Sequence, residues 1–247
     1  MLDYGSFCYL QNQKTGGTFV EGFLRKCSNQ PLLHYKKHEA VAERVPGKFY
    51  FTNVREPLAL YRSLYAYGLE GKGTVFVRLE ELGLSRLYAD GPAGFEDWLK
   101  FVLQPRFGPV LANAYTPAVA RWVGFMTWRF LRLACHGFEA AAAGFSTSEQ
   151  AGAYIRQNYM LGRVLRQENL RAELAQLAQG PLSGYVKDMP AALQWLADSR
   201  PLNVSAAAAG VKAMPVSTAL HERVVQCEKF TYKNFYPHLL EMNPHAS

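Results

Sequence analysis

Residues 6–27, SFCYLQNQKTGGTFVEGFLRKC, decide how the chain is read. Ser6 to Leu10 is apolar on both alternating faces, the pattern of a strand covered on both sides. Beyond it the period changes: Phe19, Val20, Phe23, Leu24 and Cys27 recur at helical spacing. Between the two lies Lys14-Thr15-Gly16-Gly17-Thr18. Two glycines let the backbone bend and approach a ligand closely, and the following helix directs its open N–H groups there. With a lysine and two hydroxyls added, this loop reads as an anion cradle suited to phosphate or sulfate. The plainer reading is a turn, but a turn requires neither the lysine nor the hydroxyls.

Working outward, Pro31 to Tyr35 reads as a short second strand, and Ala40 to Glu43 as helical up to Pro46-Gly47. Lys48 to Val54, KFYFTNV, is aromatic and β-branched with turn residues before it, which predicts a strand. It delivers Arg55-Glu56-Pro57, with proline suited to the first position of a helix. On that helix Leu58, Tyr61 and Tyr65 share one face, and Ala59, Ser63 and Ala66 make a face of small residues. Strands alternating with helices imply an α/β domain with a central parallel sheet and right-handed crossovers. Ligands in such sheets bind outside the carboxyl ends of the strands. Lys14 and Arg55 both stand at such ends. Arg55 either takes a phosphate or pairs with an acid such as Glu56; Ser63 is a hydroxyl ligand or a small packing residue.

The chain has 247 residues, enough for a sizeable core, and its 49% hydrophobic and 13% aromatic content argues against disorder. A formal charge of +7 favours anionic partners, though this much charge is also ordinary for a soluble surface. Cys8, Cys27, Cys135 and Cys227 show no metal or redox spacing, so no metal site is expected. The N-terminus shows no signal-peptide pattern, and the most apolar long stretch, Val119 to Cys135, carries Arg121, Arg129 and Arg132. A soluble, cytoplasmic protein without stable membrane insertion is therefore expected, and no nucleic-acid partner.

QKTGGTF after the first strand and NVREPLALYRSLYAYG after a later one together resemble the sulfotransferases that use 3'-phosphoadenosine 5'-phosphosulfate (PAPS). In that family the first segment, often PKTGGT, binds the 5'-phosphosulfate. The second, of the form R-[DN]-P-x-x-R-x-x-S-x-Y, holds the 3'-phosphate. Here Arg55, Pro57, Ser63 and Tyr65 keep that pattern. Glu56 replaces the usual Asp or Asn, and Arg62 stands two places later than the pattern puts its second arginine. HYKKHEAVAE also looks like the KHxxxxE segment of the carbohydrate-sulfotransferase branch. The resemblance covers about the first quarter of the chain. It implies a P-loop-like sulfotransferase fold in one domain, with residues 1–70 as cofactor-binding core and 95–160 as a helical part for the acceptor. It further implies Lys14, Thr15, Gly16, Gly17, Thr18, Arg55 and Ser63 as PAPS ligands. The residues agree independently: the lysine precedes the glycines, so GxxxxGK[ST] is absent, and an arginine with a hydroxyl suits a phosphate monoester.

Transfer to a hydroxyl needs a base for the acceptor proton and cations for the departing phosphate. Lys14 is the natural stabiliser. The resemblance points to His38 as base, with Glu39 next and His34 nearby; alternatively His38 merely opens a helix whose first turn holds Glu39. His136, His221, His238 and His245 lack a comparable context. Further on, Thr74 to Arg78 reads as a strand, and Phe95 to Gln104 and Pro117 to Cys135 as helices. In the second of these, Arg121, Phe125, Arg129 and Arg132 make a stripe that reads either as an acceptor surface for an anionic or sugar substrate or, as the favoured reading, as a core helix with a solvated basic edge. Leu161 to Leu177 reads as a strand running into a helix and resembles the family's R-x-E-N-L element through Arg166, Glu168 and Asn169. Leu202 to Ser205 resembles its N-x-S loop, which implies Asn203 and Ser205 near the cofactor; Lys212 is a further phosphate contact or a surface lysine. The implied reaction moves a sulfuryl group from PAPS to a carbohydrate or small-molecule hydroxyl, or less readily an amine. A divergent P-loop kinase and a non-catalytic polyanion-binding module are the competing readings.

Overall fold

Leu2–Asp3 (β1), Phe7–Leu10 (β2), His34–Tyr35 (β3), Phe49–Val54 (β4) and Leu161–Arg166 (β5) form one open sheet in the order β3-β1-β2-β4-β5. The computed structural model describes residues 1–89, 91–200 and 207–241. The sheet is mixed. β2, β4 and β5 run parallel, and β1 pairs antiparallel with both β2 and β3. The expected parallel sheet holds in its core, β2-β4-β5, and becomes antiparallel at one edge. The second strand shrinks to His34–Tyr35, both exposed, because β1 already lies beside β2 and leaves it only an outer place. β1 is two residues long, too short to show a period.

The chain divides into two compact units, the first holding residues 1–55, 132–137 and 158–204 and the second 56–131, 138–157 and 205–247. In the first unit, alternation along β2 works as its composition implies. Phe7 and Tyr9 enter one buried cluster with Phe51 and Leu165, while Cys8 and Leu10 enter another with Val41, Tyr50, Leu133 and Met160. The helix Gly17–Cys27 (α1) packs on the first face, burying Phe19, Val20, Phe23, Leu24 and Cys27. Trp195, from the Met189–Asp198 helix, covers it with ring centroids 5.3 Å from Phe19 and 5.8 Å from Phe23. The helix Leu170–Gln179 follows β5, and Glu173 accepts from the Arg166 backbone at 2.8 Å and its guanidinium at 2.7 Å. The R-x-E-N-L element is thus engaged in its own support. Residues 40–43 form no helix. Four residues cannot nucleate one, and the segment is held instead by side chains reaching its carbonyls.

In the second unit, Pro57–Leu69 (α2) begins with proline at its first position and is capped by Glu56, whose carboxylate accepts from Leu58 N at 2.9 Å and Ala59 N at 2.5 Å. A carboxylate here complements the helix dipole, so Glu56 fills the capping place that Asp or Asn holds in the resembled pattern. Arg62 donates to the Met214 carbonyl at 2.9 Å, a structural use of that arginine. Two expectations fail in this unit. Thr74–Glu81 is a helix, with Val75 and Leu79 buried four residues apart while Val77 is exposed. Pro117 to Cys135 is broken into Pro117–Ala120 and Phe125–Ala134. Gly124 N donates to the Cys227 carbonyl at the break, and glycine is a poor helix former. Within the stripe Arg121 is exposed and Arg132 half-buried, but Arg129 is buried against the Phe125 ring and is no part of a solvated edge. Among the described residues no helix is long and apolar enough to cross a membrane.

Candidate anion-binding site

The loop joining β2 to α1 is held from below by buried amides. Asn53, fully buried on β4, accepts from the Tyr9 hydroxyl and donates to the Thr15 carbonyl. Burial raises the Tyr9 phenol far above its ordinary value, so this hydroxyl keeps its proton and donates. Asn12 accepts from Gln13 N at 2.9 Å, and the Thr15 hydroxyl donates to the Asn12 carbonyl at 3.0 Å. Thr15 thus uses its side chain to shape the loop, and only its backbone remains for a ligand.

Lys14 (φ 61) and Gly16 (φ 89) are both left-handed, which turns the chain sharply on either side of Thr15. The first helical bonds run from Phe19 N and Val20 N to the Gly16 carbonyl, at 3.0 and 3.4 Å. Among the described residues, no hydrogen bond within the protein takes up the N–H of Thr15, Gly16 or Gly17. Three open donors at the positive end of an eleven-residue helix, beside Lys14, form an arrangement for an anion. Arg55, at the end of the adjacent parallel strand β4, approaches the same loop, its Nη1 lying 3.5 Å from the Lys14 carbonyl.

His38 reaches this loop as well. Its Nδ1 lies 3.0 Å from the Gln11 carbonyl at the end of β2. A carbonyl only accepts, so Nδ1 carries a proton, and in the neutral form of the ring the lone pair lies on Nε2. Glu39 is placed otherwise. Its carboxylate is 2.5 Å from His34 Nε2 and 3.1 Å from Lys36 Nζ. The His34 hydrogen bond holds it below the usual carboxylate range, which makes it a weaker base.

The structure thus brings Lys14, Thr15, Gly16, Gly17, Thr18, Arg55 and His38 together in the first unit, while His34 and Glu39 pair with each other. Ser63 lies half-buried on α2 in the second unit. Asn203 and Ser205 fall outside the described residues, and Lys212 is exposed at the end of the short Ala208–Lys212 helix. Sequence reading missed Asn53, Asn12 and the Gln11 carbonyl as the loop's framework. The one available signal was a pair of polar residues, Thr52-Asn53, closing an otherwise aromatic strand.

Gly16 offers a direct check of the loop. Its φ disfavours any side chain, and a β-carbon would lie 2.7 Å from Leu170 Cδ2, itself buried. Gly16→Ala is expected to cost about 1–3 kcal/mol of stability and to weaken anion binding at the loop. Unfolding by urea and titration with an adenosine bisphosphate read the two effects separately, and unchanged values in both would contradict the loop geometry.

Comparison of the chain with protein-family models, with curated proteins and with solved structures found no match.

Proposed function

We propose that this chain is a PAPS-dependent sulfotransferase of P-loop-like fold that acts on a hydroxyl of a carbohydrate or small molecule. One observation carries the reading. The donors and cation at the start of α1 stand at the end of β2, next to Arg55 at the end of the neighbouring parallel strand, as a ligand bearing two separate anionic groups requires. The residues suit the phosphosulfate end of such a ligand: three backbone donors and a lysine meet an anion that has many acceptor oxygens and no donors. The roles of Ser63, Asn203 and Ser205 rest on the resemblance alone.

When bound, PAPS would supply a sulfuryl group whose bond to phosphate oxygen breaks as the acceptor oxygen attacks sulfur, leaving 3'-phosphoadenosine 5'-phosphate (PAP). His38 takes the acceptor's proton at Nε2, the nitrogen that the Gln11 contact leaves carrying the lone pair. Lys14 and the N–H groups of Thr15, Gly16 and Gly17 stabilise negative charge growing on the departing phosphate. Arg55 binds rather than reacts.

The deciding measurement is thermal unfolding in the presence of PAP or of ATP with magnesium. PAP at a hundredfold over its dissociation constant is expected to add ~2.7 kcal/mol, a rise of roughly 5–10 °C for a chain of this size. Stabilisation by ATP with magnesium alone would exclude the sulfotransferase reading in favour of a nucleotide-dependent kinase.

A further inference from the structure

His38 has φ 59, a left-handed conformation that a residue with a β-carbon seldom keeps unless its surroundings impose it. It sits between β3 and β4, in a stretch of chain without helix or strand, so no backbone ladder holds it there. What holds it comes from a distant part of the sequence. Arg132 Nη2 donates to the His38 carbonyl at 2.7 Å, and four residues on His136 Nε2 donates to the Ala42 carbonyl at 3.0 Å. Arg132 and His136 are themselves four residues apart, at the end of the Phe125–Ala134 helix and just beyond it. They grip one irregular segment at two points, while Val41 between those points is buried beside Leu133.

We propose that Arg132 is a positioning residue for His38. The guanidinium fixes the direction of the His38 carbonyl, and with it the left-handed backbone that sets the imidazole against Gln11. The consequence is chemical as well as structural. With Nδ1 donating to the Gln11 carbonyl, the ring is locked in the Nδ1–H tautomer, and Nε2 is the nitrogen that accepts a proton. A free histidine ring favours the opposite tautomer, so the contact selects the form the reaction needs. The grip is directional, because a guanidinium donates along fixed planar directions whereas an ammonium rotates. This inference rests on the reading of His38 as the general base.

The test is nitrogen-15 NMR of the His38 ring, assigned by comparison with His38→Ala, alongside steady-state kinetics with PAPS. Wild type is expected to show the Nδ1–H tautomer. In Arg132→Gln that population is expected to fall to a minority, with kcat reduced roughly 10- to 100-fold and KM for PAPS unchanged. Arg132→Lys is expected to fall between the two on both readouts. A wild-type tautomer and kcat in Arg132→Gln would overturn the proposal. Should Arg132→Gln fail to fold, wild-type values in Arg132→Lys would overturn it instead, since the guanidinium fork would then be dispensable. Full activity of His38→Ala would remove the base reading and leave the tautomer measurement to decide the positioning role alone.

Discussion

On the proposed function, Lys14→Ala is expected to reduce sulfuryl transfer to background, a loss on the order of 10³-fold or more, with little change in stability. The argument begins with the backbone. Lys14 is already left-handed, and alanine meets the same steric cost there, so the substitution leaves the turn as it found it. Its side chain is half-buried. What disappears is the positive charge at the mouth of a loop whose remaining donors, the N–H groups of Thr15, Gly16 and Gly17, carry partial charges only. In the proposed reaction those donors would hold the anion without neutralising a phosphate that gains charge as its bond to sulfur breaks. The loss is therefore expected in kcat, with PAP still raising the melting temperature. Arg55→Ala is expected to show the converse, weaker PAP binding at a kcat reduced far less. Transfer at the wild-type rate in Lys14→Ala would refute the assigned role, and equal loss of binding in both variants would merge the two roles into one.

The strand, loop and helix around Lys14 were legible because every signal there is local: a change of period, two glycines, a lysine. The same holds for β4 and for proline at the start of α2. Legibility fails where the deciding contact is remote. In HYKKHEAVAE only the resemblance favours His38 over His34 or Glu39, whereas in the fold His34 and Glu39 pair with each other and His38 turns to Gln11. The His38 carbonyl in turn accepts from Arg132, 94 residues away, within a helix read only as a basic stripe. Residues 40–43 have the composition of a helix and are denied one by the same contacts. The antiparallel edge escaped notice for another reason, since β1 and β3 have two residues each and a period of two needs more. Thr74 to Arg78 misled through β-branched composition, which the burial of Val75 and Leu79 on one helical face overrode.

Glu228→Ala is expected to be the most destabilising single substitution in the second unit, at about 3–5 kcal/mol. Glu228 is fully buried, and its carboxyl is the meeting point of three elements. The Tyr61 hydroxyl donates to Oε1 at 2.6 Å and Met126 N at 3.0 Å; Thr127 donates to Oε2 through its backbone at 2.8 Å and its hydroxyl at 2.6 Å. The two backbone donors are the opening N–H groups of the Phe125–Ala134 helix, which no residue of that helix can satisfy. Alanine would strand all four donors beside a cavity. Burial raises the Glu228 carboxyl above its ordinary value of 4.5, against the lowering effect of these hydrogen bonds. The folded state therefore keeps the proton to higher pH than the unfolded state. The stability this contributes is fully present below the unfolded value near 4.5 and is lost as pH rises through the folded one. Glu228→Gln cannot titrate, so its deficit against wild type is expected to be greatest in acid and to shrink toward neutral pH. At any pH it turns an NH2 group toward donors that need an acceptor, so some deficit persists. Urea unfolding of both variants between pH 4 and 8 reads these effects. A Glu228→Ala midpoint within error of wild type would show that the four contacts hold nothing together, and a Glu228→Gln deficit that grows with pH would reverse the sign assigned to the carboxyl.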